Sequence, residues 1–251
     1  MSDFELLLDL HRDGERQGPG RAEDTRLAVT LSGLRGSRGL QIADLGCGTG
    51  ASTLLLAREL DATVTAVDLF EDFLHVLRNN AERAGLTDRI KVLAASMASL
   101  PFEDASFDAT WSEGAIYNIG FANGIQSLRR FIKPGGVLAV SELTWLTDQR
   151  PAKLEEHWTQ AYSEVDTASA KIALLEEHGY VPLGYFALSE QSWLEHYYRP
   201  LQSRFDAFRL RHHNSEAAQA IVASERNEIE LYERYSSFVS YGYYIAQKQD
   251  L

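Results

Sequence analysis

Asp44-Leu45-Gly46-Cys47-Gly48-Thr49-Gly50 is the stretch whose reading decides the fold of this chain. It ends GLQIADLG, a short apolar run that reads as a buried parallel strand, and it leads into Ala51–Leu60, where Leu56, Ala57 and Leu60 recur at helical spacing. Glycines between strand and helix allow a tight turn and a close approach of ligand to backbone. The helix N-terminus adds unpaired N–H groups. The next run, ATVTAVDL, is β-branched and reads as a second strand. It closes on Asp68, 68 − 44 = 24 positions after Asp44, where a carboxylate can accept both hydroxyls of an adenosine ribose.

The alternation continues outward. Phe70, Phe73, Leu74, Leu77, Ala81 and Ala84 recur at three- and four-residue steps and predict an amphipathic helix that Gly85 ends. IKVLAAS, FDATWSE and GGVLAVSEL read as strands, with a helix over Phe121–Ile132 and a turn at Pro134–Gly136. Strands joined by helical crossovers imply a parallel, doubly wound sheet, whose ligands bind beyond the carboxyl ends of the strands. Past Leu146, Lys153–Val165 and Ala168–His178 read as helices, and YVPLGYFALS and SFVSYGYYIAQKQ as the two strands of a hairpin. The stretch between those strands is too long for a hairpin loop and reads as a helical insertion. The expectation is therefore an α/β, doubly wound, seven-stranded, mostly parallel sheet. It carries an N-terminal helical cap or lid over 1–38, a main domain over 39–251 and an insertion at about 190–235. Gln17–Gly20 interrupts the cap as a lid hinge or as a plain inter-helix turn.

Bulk properties narrow the function. The 251 residues carry a formal charge of −12, which disfavours a nucleic-acid partner. One cysteine, Cys47, leaves no internal disulfide and fits a reducing compartment. The acidic N-terminal run MSDFELLLDLHRDGE does not read as a secretory signal, and no apolar stretch approaches a membrane span, so a cytoplasmic protein is expected. The seven histidines show no paired ligand spacing, and no metal is expected.

A dinucleotide site typically reads G-x-G-x-x-G, whereas this chain reads G-x-G-x-G with Asp44 two positions before the first glycine. That arrangement resembles motif I of the class I S-adenosylmethionine-dependent methyltransferases. Leu100-Pro101-Phe102 with Ser106-Phe107-Asp108, and Lys133-Pro134-Gly135-Gly136, resemble further segments of that family, over about Gly39–Thr144. Gln17–Gly20 and Trp111–Gly120 look like a bacterial group related to the ubiquinone and menaquinone biosynthesis methyltransferases. The resemblance implies a Rossmann-like fold, S-adenosylmethionine as cofactor with S-adenosylhomocysteine as product, and a small-molecule acceptor. Carried over residue by residue, it implies that Asp44, Gly46, Cys47, Gly48 and Gly50 line the methionine and ribose side. Asp68 would hold the ribose hydroxyls, and Leu69 and Met97 would pack on the two faces of the adenine. Ser96 stands where many relatives carry Asp for the adenine amino group. Ser112 and Glu113 would sit beside the methionine moiety.

Methyl transfer needs an acceptor lone pair held in line, water excluded and a proton removed where the acceptor carries one. Glu113, Tyr117 and His196 are the candidate catalytic groups. Tyr117, Asn118, Glu142, Trp145, Trp193, His196 and Tyr197 are the candidate acceptor contacts. Glu113 and Glu142 at neighbouring strand ends suggest an amine acceptor, and the aromatic residues would suit a phenol equally. Tyr241, Tyr243 and Tyr244 fit a strand of alternating exposure and need no function. The aromatic insertion would serve equally as an interface between two copies of the chain. Two other readings use the same residues: a non-catalytic S-adenosylmethionine-binding protein and, against the glycine spacing, an NAD-dependent oxidoreductase.

Overall fold

The computed structural model describes residues 2–249. Strands β1 (Leu40–Leu45), β2 (Ala62–Asp68), β3 (Ile90–Ala94), β4 (Phe107–Glu113) and β5 (Ile132–Trp145) are parallel. A two-residue strand, β6 (Asp166–Thr167), pairs with the end of β5 and makes eight strands where seven were expected. The expected hairpin forms: β7 (Tyr180–Ala187) pairs antiparallel with β8 (Val239–Lys248), which inserts antiparallel beside β5. The order is β3-β2-β1-β4-β5-β8-β7, so the winding reverses between β1 and β4 and opens a crevice beyond their carboxyl ends.

The turn expected at Pro134–Gly136 lies inside β5. Pairing slips from Phe107↔Ile132 to Ala109↔Val137, and the extra residues bulge out of the ladder. The helix expected over Phe121–Ile132 stops at Leu128 and tightens into a 3₁₀ turn.

Three apolar clusters fix the layers. On one face of the sheet, Ala28 and Val29 of α2 (Ala22–Leu31), Leu56 of α3 (Ala51–Glu59) and Leu74, Leu77 and Ala81 of α4 (Glu71–Arg83) meet Ile42, Val64 and Trp111. On the other, Phe121, Ile125 and Leu128 of α5 (Phe121–Leu128) and Leu175 of α7 (Ala168–Glu177) cover Leu45, Val67 and Val140. With helices on both faces, Tyr243 and Tyr244 are each 1% exposed, so β8 does not alternate as its sequence suggested.

The third cluster is the cap. It gathers Leu6 and Leu10 of α1 (Asp3–His11), Leu154 and Trp158 of α6 (Ala152–Ala161), and Trp193 of α8 (Glu190–Trp193). Leu201, Phe205 and Phe208 of α9 (Arg199–Arg211) and Val222, Ile229 and Tyr232 of α10 (Glu216–Tyr235) complete it. The first 38 residues thus divide between two cores: α1 joins the insertion, and α2 joins the sheet.

Candidate active site

A cavity of about 720 Å³ opens over the carboxyl ends of β1, β2 and β4 and runs beneath α1, α6 and the insertion. Its floor is the glycine-rich loop. Gly48 has φ +54, a region costly for residues with a Cβ, and a Cβ there would collide with Oε1 of Gln17. A Cβ on Gly46 would collide with that of Ala115. The glycines therefore let Gln17 and Ala115 pack directly on the loop, whose residues Gly46, Cys47 and Gly48 line the cavity. Gln17 holds the loop from above, accepting from Thr49 N at 3.0 Å and donating to Thr49 Oγ1 at 3.1 Å.

Asp68 lines the cavity and ties the loop to β2, accepting from Gly48 N at 2.9 Å and from Phe70 N at 3.0 Å. Each carboxylate oxygen keeps a second lone pair for a ligand hydroxyl. Burial pushes this carboxyl above its ordinary range, against the backbone donors. Leu69, Ser96 and Met97 lie along the same wall. Ser96 Oγ accepts from Ala98 N at 3.2 Å.

The strand-end pair resolves differently from expectation. Glu113 lines the cavity, yet its carboxylate is saturated. Oε1 accepts from Thr25 Oγ1 at 2.8 Å, Trp111 Nε1 at 2.9 Å and Tyr243 Oη at 2.9 Å, while Oε2 accepts from the Arg16 guanidinium. Burial alone would raise this carboxyl; the Arg16 charge and these donors overcome it and hold it below its ordinary range. A carboxylate so engaged is a poor general base, so Glu113 is the post to which the loop after α1 is fastened. Ser112 points to the opposite face of β4, donates to Leu45 O at 2.9 Å and does not line the cavity.

Asp44 and Gly50 also stand behind the cavity wall. Asp44 is fully buried beneath the loop, accepting from Ser52 Oγ at 2.7 Å and Thr53 Oγ1 on one oxygen while the other has no partner. Burial pushes its carboxyl up to about 7. Gly50 is pressed against Leu77, where a Cβ would collide, and serves the start of α3.

The cap side of the cavity contains Tyr117, Asn118, Trp193 and Tyr197, all expected there. Burial pushes the Tyr117 phenol up, which removes it as a base near neutral pH. Three expected contacts are elsewhere. His196 is exposed, because neighbouring residues of the π-helical turn Leu194–Tyr198 face different sides and Tyr197 takes the inner one. Glu142 alternates with Leu143, which lines the cavity; Glu142 is buried on the other side, 4.0 Å from Lys171 Nζ. Trp145 lies two residues further along β5, roughly 7 Å beyond Leu143, under the Arg150 guanidinium and beside a separate shallow depression.

In their place stand residues not expected in the site: His11, Arg16, Trp158, Tyr162, Glu225, Glu228 and Tyr241, which the sequence reads as a strand residue without function. One signal could have found Glu225. Val222, Glu225, Ile229 and Tyr232 are spaced three, four and three, which puts a carboxylate on the buried stripe of α10. Among the described residues no group of three or more His, Cys, Asp and Glu converges as a metal site would need, and no helix is long and apolar enough to cross a membrane.

Residues 42–136 match the family model described as a methyltransferase domain. Methyltransferase GfsG of Streptomyces halstedii is 33% identical over 108 residues, 43% of this chain and 39% of that protein. The 27-O-demethylrifamycin SV methyltransferase of Amycolatopsis mediterranei is 30% identical over 156 residues, 61% of this chain and 56% of that protein. The chain thus spans about half or less of the length of these curated relatives. A S-adenosylmethionine-dependent methyltransferase of Geobacter sulfurreducens, solved with S-adenosylhomocysteine, superposes with a TM-score of 0.82 at 20% identity over 98% of both chains. Residues 42–136 are a methyltransferase domain, and the chain that contains them has the fold of the class I S-adenosylmethionine-dependent methyltransferases.

Proposed function

We propose that the protein binds S-adenosylmethionine over its glycine-rich loop and transfers the methyl group to a small molecule held in the cap half of the same cavity. One observation carries this reading. A single cavity joins Gly46, Gly48 and Asp68 on the sheet side to Trp193, Tyr197 and Tyr241 under the helical cap. A ribose diol suits the free lone pairs of Asp68. A flat base suits the wall that carries Leu69 and Met97, and the glycine-rich loop brings Gly46, Cys47 and Gly48 to the cavity edge. The charge balance agrees. Arg16 offsets Glu113, leaving Asp68, Glu225 and Glu228 against His11, a field that favours a cation.

When bound, S-adenosylmethionine supplies an electrophilic methyl group on a positively charged sulfur. The chain contributes the rest: Asp68 and the loop fix the donor, the cap walls exclude water, and the aromatic residues orient the acceptor. The amine-or-phenol question and the atom methylated belong to the acceptor compartment.

Calorimetric titration with S-adenosylhomocysteine, with NADH as a comparison, tests the cofactor half. Saturable binding in the wild type, weakened about 100-fold in Asp68→Ala by the loss of two hydrogen bonds to a carboxylate, is expected. Binding of NADH with none of S-adenosylhomocysteine would overturn it. Incorporation of labelled methyl into a panel of amines, phenols and carboxylates tests the transfer. Cofactor binding with no acceptor turned over by any preparation would favour a binding protein.

A further inference from the structure

The walls of the cap half carry a charge that the cofactor reading does not use. Glu225 and Glu228 project from one face of α10 into an aromatic enclosure. Glu225 is opposed by His11, whose Nε2 stands 3.6 Å from its Oε1. Glu228 has no such neighbour: one oxygen accepts from Tyr198 Oη at 2.9 Å, and no Lys, Arg or His is paired with it among the described residues. An unpaired carboxylate away from bulk water is costly to keep charged.

The surroundings point to what would offset it. Tyr117, Tyr197 and Tyr241 come close enough to Glu228 for its charge to act on all three phenols, adding to the burial that already pushes them up. They are therefore neutral rings, whose faces attract cations. The hydroxyls of Tyr197 and Tyr241 make no hydrogen bond among the described residues. A cavity wall with π faces and an unopposed carboxylate is built for a ligand that brings the cation.

We infer that the cap half of the cavity is a site for a small protonated amine, received by Glu228 and Glu225 within the ring of Tyr117, Tyr197 and Tyr241. This rests on the proposed methyl transfer and names the class of its acceptor. The amine idea survives from the sequence, but its carboxylates move from β4 and β5 to α10.

The chemistry balances at this site. An ammonium has no lone pair, so it first gives one N–H proton to the Glu228 carboxylate. The freed nitrogen pair forms the N–C bond as the S–C bond breaks, the electron pair of that bond stays on sulfur, and the product leaves as an N-methylammonium. Burial and the neighbouring Glu225 push the Glu228 carboxyl up to about 7, against the Tyr198 hydrogen bond, so it can hold and release that proton near neutral pH. The titratable groups facing it are Glu225 from its own helix, Tyr197 and Tyr198 from the π turn, Tyr117 after β4 and Tyr241 of β8, with His11 of α1 behind Glu225.

The test is calorimetry on the full chain at pH 7.5, with and without S-adenosylhomocysteine. The probes are benzylamine, N-methylbenzylamine and tryptamine, each against its matched alcohol. At least one amine should bind 10-fold or more tightly than its alcohol. Glu228→Gln should erase that preference while leaving S-adenosylhomocysteine affinity within threefold, which also shows that the variant folds. Should it fail to fold, Glu225→Gln, which removes one negative charge beside the same ligand, should reduce the preference at least threefold. No amine preferred over its alcohol, or a preference untouched in a folded variant, overturns the inference. Failure of S-adenosylhomocysteine to bind the wild type would instead strike the cofactor reading, and the amine titration without it would still report on this site.

Discussion

The two halves of the cavity are built in opposite ways. The sheet half draws on short, contiguous segments: Gly46–Gly48 after β1, Asp68 and Leu69 after β2, Ser96 and Met97 after β3. Where it lines the cavity its carboxylates are answered, as the backbone donors on Asp68 and the four donors on Glu113 show. The cap half is assembled from α1, α6, α8, α10 and β8, segments widely separated in the chain, and it leaves the Glu228 carboxylate without a paired cation among the described residues. A satisfied network specifies a fixed geometry, whereas an unopposed carboxylate in a cavity wall leaves room for a ligand's charge. The contrast agrees with the proposed division of the cavity between cofactor and acceptor.

The sharpest way to break this contrast is at the seam, where Arg16 from the loop after α1 meets Glu113. Arg16→Ala strands a buried carboxylate, and a loss of about 3–5 kcal/mol in folding stability is expected from chemical denaturation. A cost under about 1 kcal/mol would mean that the cap and the sheet are not joined by this pair.

Next in size is a cut inside the cap alone. Phe205 is 2% exposed in the core shared by α1 and the insertion, so Phe205→Ala should cost about 3–5 kcal/mol at most. Affinity for S-adenosylhomocysteine, measured well below the melting point, should change less than threefold. A large loss would show that the cap carries cofactor affinity as well.

A pH series sharpens the sheet half. With its carboxyl raised to about 7 by burial, Asp44 binds its proton more tightly folded than unfolded. That contribution to stability is complete below the unfolded value near 4 and is lost as pH rises through 7. In the free protein Asp44→Asn should remove most of this loss, of order 3 kcal/mol, when stabilities at pH 5 and pH 8 are compared. An unchanged slope would place the titration elsewhere.

The smallest effect is expected at His196. Exposed on the outer side of the π turn, it should tolerate Ala with less than about 0.5 kcal/mol change in stability and no change in methyl transfer. A 10-fold loss of activity would require the insertion to reorganise around the acceptor.

Legibility in the sequence follows the same division. The strand–glycine–helix unit, the acid ending β2 and the hairpin of β7 and β8 could be read because each is written within one local segment, where period and turn chemistry speak directly. Glu113 was found by position and misread in role, because its partners Arg16, Thr25 and Tyr243 are 97, 88 and 130 residues away. His196 and Tyr197 are adjacent letters, and only the turn of the helix chooses which faces inward.

By itself, then, the sequence determined the doubly wound sheet, the glycine-rich floor of the site and the methyltransferase likeness of residues 42–136. These rest on hydrophobic period, glycine placement and strand-end acids, which are properties of neighbours in the chain. The tertiary structure alone decided that α1 closes on the insertion, that Glu113 is spent on Arg16, and that Glu225 and Glu228 face the cavity. Those outcomes depend on which distant helices share a core, and burial then sets what each carboxylate can do.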